Sequence, residues 1–146
     1  AGVVGEGSAT WRGRAQQPDP TFDPDPAPDR LTNDVAAVYV TADAPASHLS
    51  AHADAAAVCL AATGAGHVPE AIVDAVEDLR AADVPVIVTT RCPEGRLARG
   101  TYGFRGSERT LRRLDCLFAD LNLQKTRIRA IVAHAADRLD DAFDAG

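Results

Sequence analysis

The fold of this chain is decided by one stretch, AAAVCLAATGAGHVPEAIVDAVEDLRAADVPVIVTT, which covers residues 55–90. It opens and closes with short apolar runs, Ala55 to Ala62 and Val84 to Thr90, and each run predicts a buried strand. Between the runs, apolar residues recur at the spacing of one helix face: Ile72, Ala75, Val76 and Leu79. A strand, a helix and a second strand in this order predict a right-handed βαβ unit with parallel strands.

The same alternation continues on both sides of this unit. Val35 to Ala42 predicts another strand, and a helix is expected to begin near Ser107. One face of that helix is expected to carry Leu111, Leu114 and Phe118. A later helix, with Asn122 as its N-cap, is predicted from a second apolar stripe. That stripe consists of Ile128, Ile131, Val132 and Ala135. We therefore predict an α/β domain over residues 35–146, in which helices flank a small parallel sheet of about four strands.

Residues 1–34 have a different composition. Five of the nine prolines lie between Pro18 and Pro28 and are interleaved with aspartates, so this stretch is expected to be an extended linker. Before it, Val3 to Trp11 is expected to be a strand or hairpin arm with no partner of its own. Because the chain also contains no methionine, we expect it to be part of a longer protein, with residues 1–34 as the end of an N-terminal domain and the linker.

Bulk properties limit the classes of function. The net charge of −6 and the pI near 5.1 disfavour nucleic acid as a partner, because phosphates are bound mainly by Lys and Arg. No apolar run reaches the roughly 20 residues needed to cross a bilayer, and the N-terminus has no signal-peptide pattern. The three cysteines, Cys59, Cys92 and Cys116, form no CxxC pair, which favours reduced thiols. We expect a cytoplasmic protein with no membrane partner.

Two loops leave the predicted carboxyl ends of strands, where parallel sheets bind ligands. They run from Thr63 to Val68 and from Arg91 to Gly100. In the first loop, Gly64 and Gly66 allow another backbone or a ligand to approach closely. His67 closes this loop and could hydrogen-bond a substrate or move a proton, although a tight turn whose histidine is satisfied by backbone would have the same sequence. The loop matches neither the GxGxxG nor the GxxxxGK[ST] nucleotide pattern.

Other parts of the chain offer weaker candidate sites. His48 and His52 are four residues apart, as helical metal ligands are, but no third ligand is evident, so we expect neither a metal nor another cofactor. Lys125, Arg127 and Arg129 are expected on a solvated helix face or in salt bridges to a neighbouring subunit. The sequence contains no GxSxG elbow and no Ser-His-Asp order.

Four short motifs follow one another along the chain. They are TGAGHVP at 63–69, VIVTTRCPEG at 86–95, TYG at 101–103 and DLNLQKTRI at 120–128. In this order they resemble the C-terminal domain of the L-asparaginase and glutaminase-asparaginase family, and the resemblance extends from about Val35 to the end of the chain. It implies the same α/β fold that the periodicity predicts.

The resemblance also implies an activity, the hydrolysis of the side-chain amide of L-asparagine or L-glutamine to release ammonia. In this family an acyl-enzyme forms on a threonine of the N-terminal domain. The C-terminal domain completes the active site of a neighbouring subunit through its glycine loop. For this chain, the resemblance implies substrate contacts from Gly64, Ala65, Gly66 and His67. It further implies no catalytic residue in this chain and assembly as a homodimer or homotetramer.

The chain departs from the family pattern at several points. It has no Thr-Gly-Gly-Thr segment and no Thr-Asp pair, so the isolated chain is expected to be inactive. His67 stands where many secreted members have a substrate-sensing asparagine, which leaves the choice between asparagine and glutamine open. Some secreted members contribute an acidic residue after this region, and its nearest candidates here are Glu94 and Glu108.

Two alternative functions remain open at this stage. The domain could bind a ligand or a partner without catalysis, which a gene with no upstream Thr-Gly-Gly-Thr domain would favour. It could also belong to the asparaginase-like subunit of an archaeal tRNA amidotransferase, although the acidic charge gives no support for contact with tRNA.

Overall fold

The computed structural model describes residues 2–5, 8–11 and 25–143. Near the N-terminus, strands β1 (Gly2–Gly5) and β2 (Ser8–Trp11) pair antiparallel with each other. The expectation that this segment has no partner of its own is therefore wrong, because its two halves pair. The predicted linker lies mostly on residues 12–24, outside the described residues, and it is followed by a short 3-10 helix, Pro28–Arg30.

The rest of the described chain folds around a four-stranded parallel sheet. Its strands lie side by side in chain order: β3 (Val35–Tyr39), β4 (Ala57–Ala62), β5 (Val86–Thr90) and β6 (Leu117–Phe118). All six residues of β4 are buried, because this inner strand has helices on both of its faces. The prediction of an α/β fold with about four parallel strands is confirmed.

Five helices occur in the described part of the chain. They are α1 (Ser47–Ser50), α2 (Glu70–Ala81), α3 (Glu108–Arg113), α4 (Leu123–Ala135) and α5 (Leu139–Ala142). Helices α1, α2 and α3 pack on one face of the sheet, and α4 and α5 pack on the other. Helix α2 buries the predicted stripe of Ile72, Ala75, Val76 and Leu79. The predicted N-cap of α4 is also confirmed, since Asn122 Oδ1 accepts from the Lys125 N–H at 3.0 Å.

The face of α4 that meets the sheet includes only part of the predicted stripe, since Ala135 is buried and Ile131 packs partly buried against the core. Its buried residues are Leu123, Thr126, Ala130, Ala133 and Ala135, whereas Ile128 is 59% exposed. Alanines on the inner side let the helix approach the small side chains of β4 closely, so this face packs without large residues. Arg127, expected in solvent or in a salt bridge, instead donates to the carbonyl oxygens of Val35 and Asn33 at 2.7 and 2.8 Å.

Three helices end in the same way at the amino end of the sheet. Helices α2, α3 and α4 are followed by aspartates in the left-handed region, namely Asp83, Asp115 and Asp137, with φ of 59°, 54° and 55°. After each aspartate, the next N–H donates back into the last turn, as Val84 does to the Leu79 carbonyl at 2.9 Å. This turn ends α3 at Arg113, so Phe118, which we predicted on that helix, lies in β6.

Candidate functional site

The loop from Thr63 to His67 follows β4 and closes on itself. The backbone N–H and the hydroxyl of Thr63 both donate to the His67 carbonyl oxygen at 2.9 Å. The His67 N–H in turn donates to the Thr63 carbonyl oxygen at 2.9 Å. Gly64 and Gly66 have φ of 51° and 105°, conformations that residues with a Cβ rarely adopt. The two glycines therefore set the shape of a closed turn at the carboxyl end of the sheet.

The loop that follows β5 packs directly against this turn. The Ala98 N–H donates to the Ala65 carbonyl oxygen at 2.8 Å, and the Thr90 hydroxyl donates to that of Gly64 at 2.7 Å. A Cβ on Gly66 would lie 3.0 Å from Leu97 Cδ2, so a larger residue at this position would require the Leu97 side chain to shift. The two loops predicted at the carboxyl ends of strands therefore form one unit.

Glu108, the first residue of α3, lies completely buried beneath these loops. Its Oε1 accepts from three consecutive backbone N–H groups, those of Gly100, Thr101 and Tyr102, at 3.2, 2.6 and 2.8 Å. Burial alone would raise the pKa of Glu108, but these donors and its own backbone N–H outweigh burial and lower the pKa below its usual value. Glu108 is therefore ionised at neutral pH.

His67 lies against this buried carboxylate. Its Nε2 is 3.5 Å from Glu108 Oε2, and neither buried atom has a hydrogen-bond partner among the described residues. The imidazole makes edge contacts with the rings of Tyr102 and Phe104, at centroid distances of 4.6 and 5.0 Å. Its side chain remains 22% exposed, so a ligand can reach it. The site is a histidine held between one buried carboxylate and two exposed aromatic rings.

Sequence reasoning found only half of this arrangement. It singled out Gly64, Ala65, Gly66 and His67, and the structure places these four residues together in the turn after β4. Glu108 was named only as one of two candidates for an acidic residue and Tyr102 only as part of the TYG motif, and their contact with His67, like that of Phe104, was not predicted. A glutamate in the first turn of a helix normally indicates only a favourable interaction with the helix dipole, so nothing in the local sequence of Glu108 distinguished it from Glu94. Glu94, the other acidic candidate, is exposed on the loop after β5.

Other candidate groups stay apart from this site. His48 lies in α1, and the described residues contain no group of three or more His, Cys, Asp or Glu that could hold a metal ion. Cys59 and Cys116 are buried, and burial raises the pKa of each thiol to about 12, which makes both unreactive at neutral pH. Cys92 is partly exposed. No helix in the part of the chain that the structure describes is long and apolar enough to span a membrane.

A second cleft, of about 500 Å³, lies at the opposite, amino end of the sheet. We call it the amino-end cleft, and its lining includes Asp83, Asp115, His134, Asp137 and Arg138. The charged groups here pair with one another at the surface. Asp137 forms an ion pair with Arg30, and Arg138 Nε donates to Asp141 Oδ2 at 2.9 Å.

Comparison with known proteins identifies the family. The family described as Glutaminase/Asparaginase C-terminal domain matches residues 34–143 of this chain. No curated protein matches it. The chain is similar to a solved structure, the thermostable L-asparaginase from Thermococcus kodakarensis, with a TM-score of 0.67 and 20% sequence identity. The similarity covers 94% of this chain but only 42% of that protein, and at this identity it shows the fold alone. The family match covers most of the sequence, so the chain belongs to the glutaminase/asparaginase C-terminal domain family.

Proposed function

We propose that this chain is the C-terminal domain of a cytoplasmic L-asparaginase-type amidohydrolase, which converts L-asparagine and water to L-aspartate and ammonia. In this proposal, the turn from Thr63 to His67 forms one wall of an active site whose nucleophile lies on another domain. The domain also contributes to the interface of a homodimer or homotetramer. The observation that carries the proposal is the accessible imidazole of His67, fixed on a rigid glycine turn and backed by the ionised Glu108.

The chemistry of the turn suits a binding wall and gives no support for a nucleophile. Thr63 carries the only hydroxyl in the turn, and that hydroxyl donates to the His67 carbonyl oxygen, which holds the turn closed. His67 can exchange hydrogen bonds with the amide or amine of an amino acid. A site that binds such a small polar substrate needs a few polar groups fixed in place, and the two interlocked loops fix this one.

The proposal is tested by ammonia release from L-asparagine and L-glutamine. The chain is assayed alone and together with a matching N-terminal half of an L-asparaginase. We expect release only when both halves are present. Turnover by the chain alone would contradict the division of labour, and a stable assembly of both halves without turnover would favour a non-catalytic binding domain.

A further inference from the structure

We propose that Glu108 is a positioning residue that selects, between the two neutral tautomers of the His67 imidazole, the one with its proton on Nε2. Nδ1 is then left without a proton and presents a hydrogen-bond acceptor to the ligand. The role of Nδ1 towards a ligand rests on the proposed function, whereas the tautomer is a property of the chain itself.

The two carboxylate oxygens of Glu108 differ in their hydrogen bonds. Oε1 already accepts from three backbone N–H groups, whereas Oε2 has no partner in the described part of the chain. An ionised carboxylate can only accept hydrogen bonds, and a buried acceptor without a donor is unfavourable by about 1–3 kcal/mol. The polar atom that faces Oε2 is His67 Nε2, at 3.5 Å.

This geometry selects between the two neutral forms of the imidazole. If Nδ1 carried the proton, the Nε2 lone pair would face the Oε2 lone pairs in a buried space, and both acceptors would stay unsatisfied. With the proton on Nε2, the same contact becomes a charge-assisted N–H···O interaction. The partner of one ring nitrogen thus fixes which nitrogen keeps the proton. The separation is longer than a usual hydrogen bond, as is common in sites that tighten when the ligand binds.

The surroundings restrict His67 to this orientation. Its carbonyl oxygen accepts both Thr63 donors, and its ring lies against the aromatic rings of Tyr102 and Phe104. Among the described residues, Glu108 is the charged group that faces the ring. Because Glu108 also binds the backbone of residues 100–102, one carboxylate fixes both the ring and the segment that carries Tyr102.

The tautomer determines which ligand groups the turn can recognise. A bare Nδ1 accepts a hydrogen bond from an ammonium or amide N–H and offers no donor to a carboxylate or carbonyl oxygen. The turn would therefore bind an amino-acid ligand through one of the ligand's N–H groups, which donates to His67 Nδ1. An asparagine at this position has both a donor and an acceptor in its side chain, so it could bind either an N–H group or an oxygen atom of the ligand.

Histidine nitrogen NMR tests the assignment directly. In the chain labelled with ¹⁵N, two-bond ¹H–¹⁵N spectra distinguish the protonated from the bare ring nitrogen, at a pH where the ring is neutral. We expect native His67 to be entirely the Nε2–H form, and the urea-unfolded chain to show the intrinsic mixture. We expect Glu108→Gln to shift His67 towards that mixture and the matched control, Glu94→Gln, to leave it unchanged.

Two results would overturn the proposal. One is a native His67 with Nδ1–H or with the unfolded mixture, and the other is a Glu108→Gln spectrum identical to that of the wild type. If Glu108→Gln does not fold, Glu108→Asp is used instead, because it withdraws the carboxylate by one methylene. The proposal then requires that Glu108→Asp shift His67 towards the tautomer mixture of the unfolded chain. These readouts do not depend on turnover. An Nε2–H form in an inactive assembly would refute the proposed function and leave the positioning role of Glu108 intact.

Discussion

The two ends of the parallel sheet carry charged residues in different ways. At the amino end, a cleft of about 500 Å³ is lined by exposed aspartates, arginines and a histidine, several of which pair with one another in solvent. At the carboxyl end, the buried Glu108 carboxylate faces the His67 imidazole. Among the described residues, neither Glu108 Oε2 nor His67 Nε2 has a hydrogen-bond partner. The volume of its cleft would favour the amino end of the sheet as the ligand-binding site. Burial favours the carboxyl end, because a buried polar atom without a partner calls for a functional explanation.

The largest expected effect comes from removing the buried carboxylate. Glu108→Ala leaves three backbone N–H groups without their acceptor, so we expect it to lower the free energy of unfolding by about 3 kcal/mol or more. Glu94→Ala is the matched control on the exposed loop between β5 and α3, and we expect a change of less than about 0.5 kcal/mol. Urea unfolding measures both variants. Equal losses would mean that Glu108 does not organise the carboxyl end.

Because the pKa of Glu108 is lowered, we expect the free energy of unfolding to depend on pH. The folded-state pKa of Glu108 is lowered, so its stabilisation is fully present above the usual carboxyl range and is lost as the pH falls through the folded pKa. The advantage of the wild type over Glu108→Gln should therefore be complete at neutral pH and should shrink below roughly pH 4. Urea titrations of both proteins across this range measure it. A constant difference down to the acid limit of folding would contradict the lowered pKa.

The amino end offers a smaller effect of opposite sign. Asp83 adopts φ of 59° in an exposed turn, where glycine is free of the clash that a Cβ introduces. We expect Asp83→Gly to stabilise the chain by up to about 1 kcal/mol, and Asp83→Ala to destabilise it by a similar amount. Thermal unfolding of the two variants checks the signs. A loss of stability in Asp83→Gly would show that the aspartate side chain makes a specific contribution at this end.

The sequence predicted those parts of the fold that large side chains determine. The stripe of α2 was correct because Ile72, Val76 and Leu79 are bulky and have no other place than the core. The stripe of α4 was only partly correct, since Ala135 and Ile131 pack towards the core but Ile128 remains outside. The inner face consists mainly of alanines, which pack closely but give little periodic signal. The two-residue strand β6 was missed because a left-handed turn at Asp115, and no change in hydrophobicity, ends the helix before it.

In the candidate site, too, some features could be predicted from the local sequence and others could not. The position of the glycines and His67 in a turn could be predicted, because a turn after a buried strand has a recognisable local pattern. Glu108 could not be assigned, because its role depends on backbone donors and on an imidazole that only the folded chain brings to it. Local sequence thus gave the position of the turn, whereas tertiary packing decides what faces its histidine.

The assignment of the site to the carboxyl end is tested most directly by the kinetics of two histidine variants in the proposed assembly of this chain with a matching N-terminal half. We predict that His67→Ala raises KM for L-asparagine about tenfold with a smaller change in kcat, because one substrate hydrogen bond is lost. The matched control, His134→Ala, removes an imidazole from the amino-end cleft and should leave both constants unchanged. An unchanged KM in His67→Ala, or equal effects of the two substitutions, would contradict the assignment of the site to the carboxyl end.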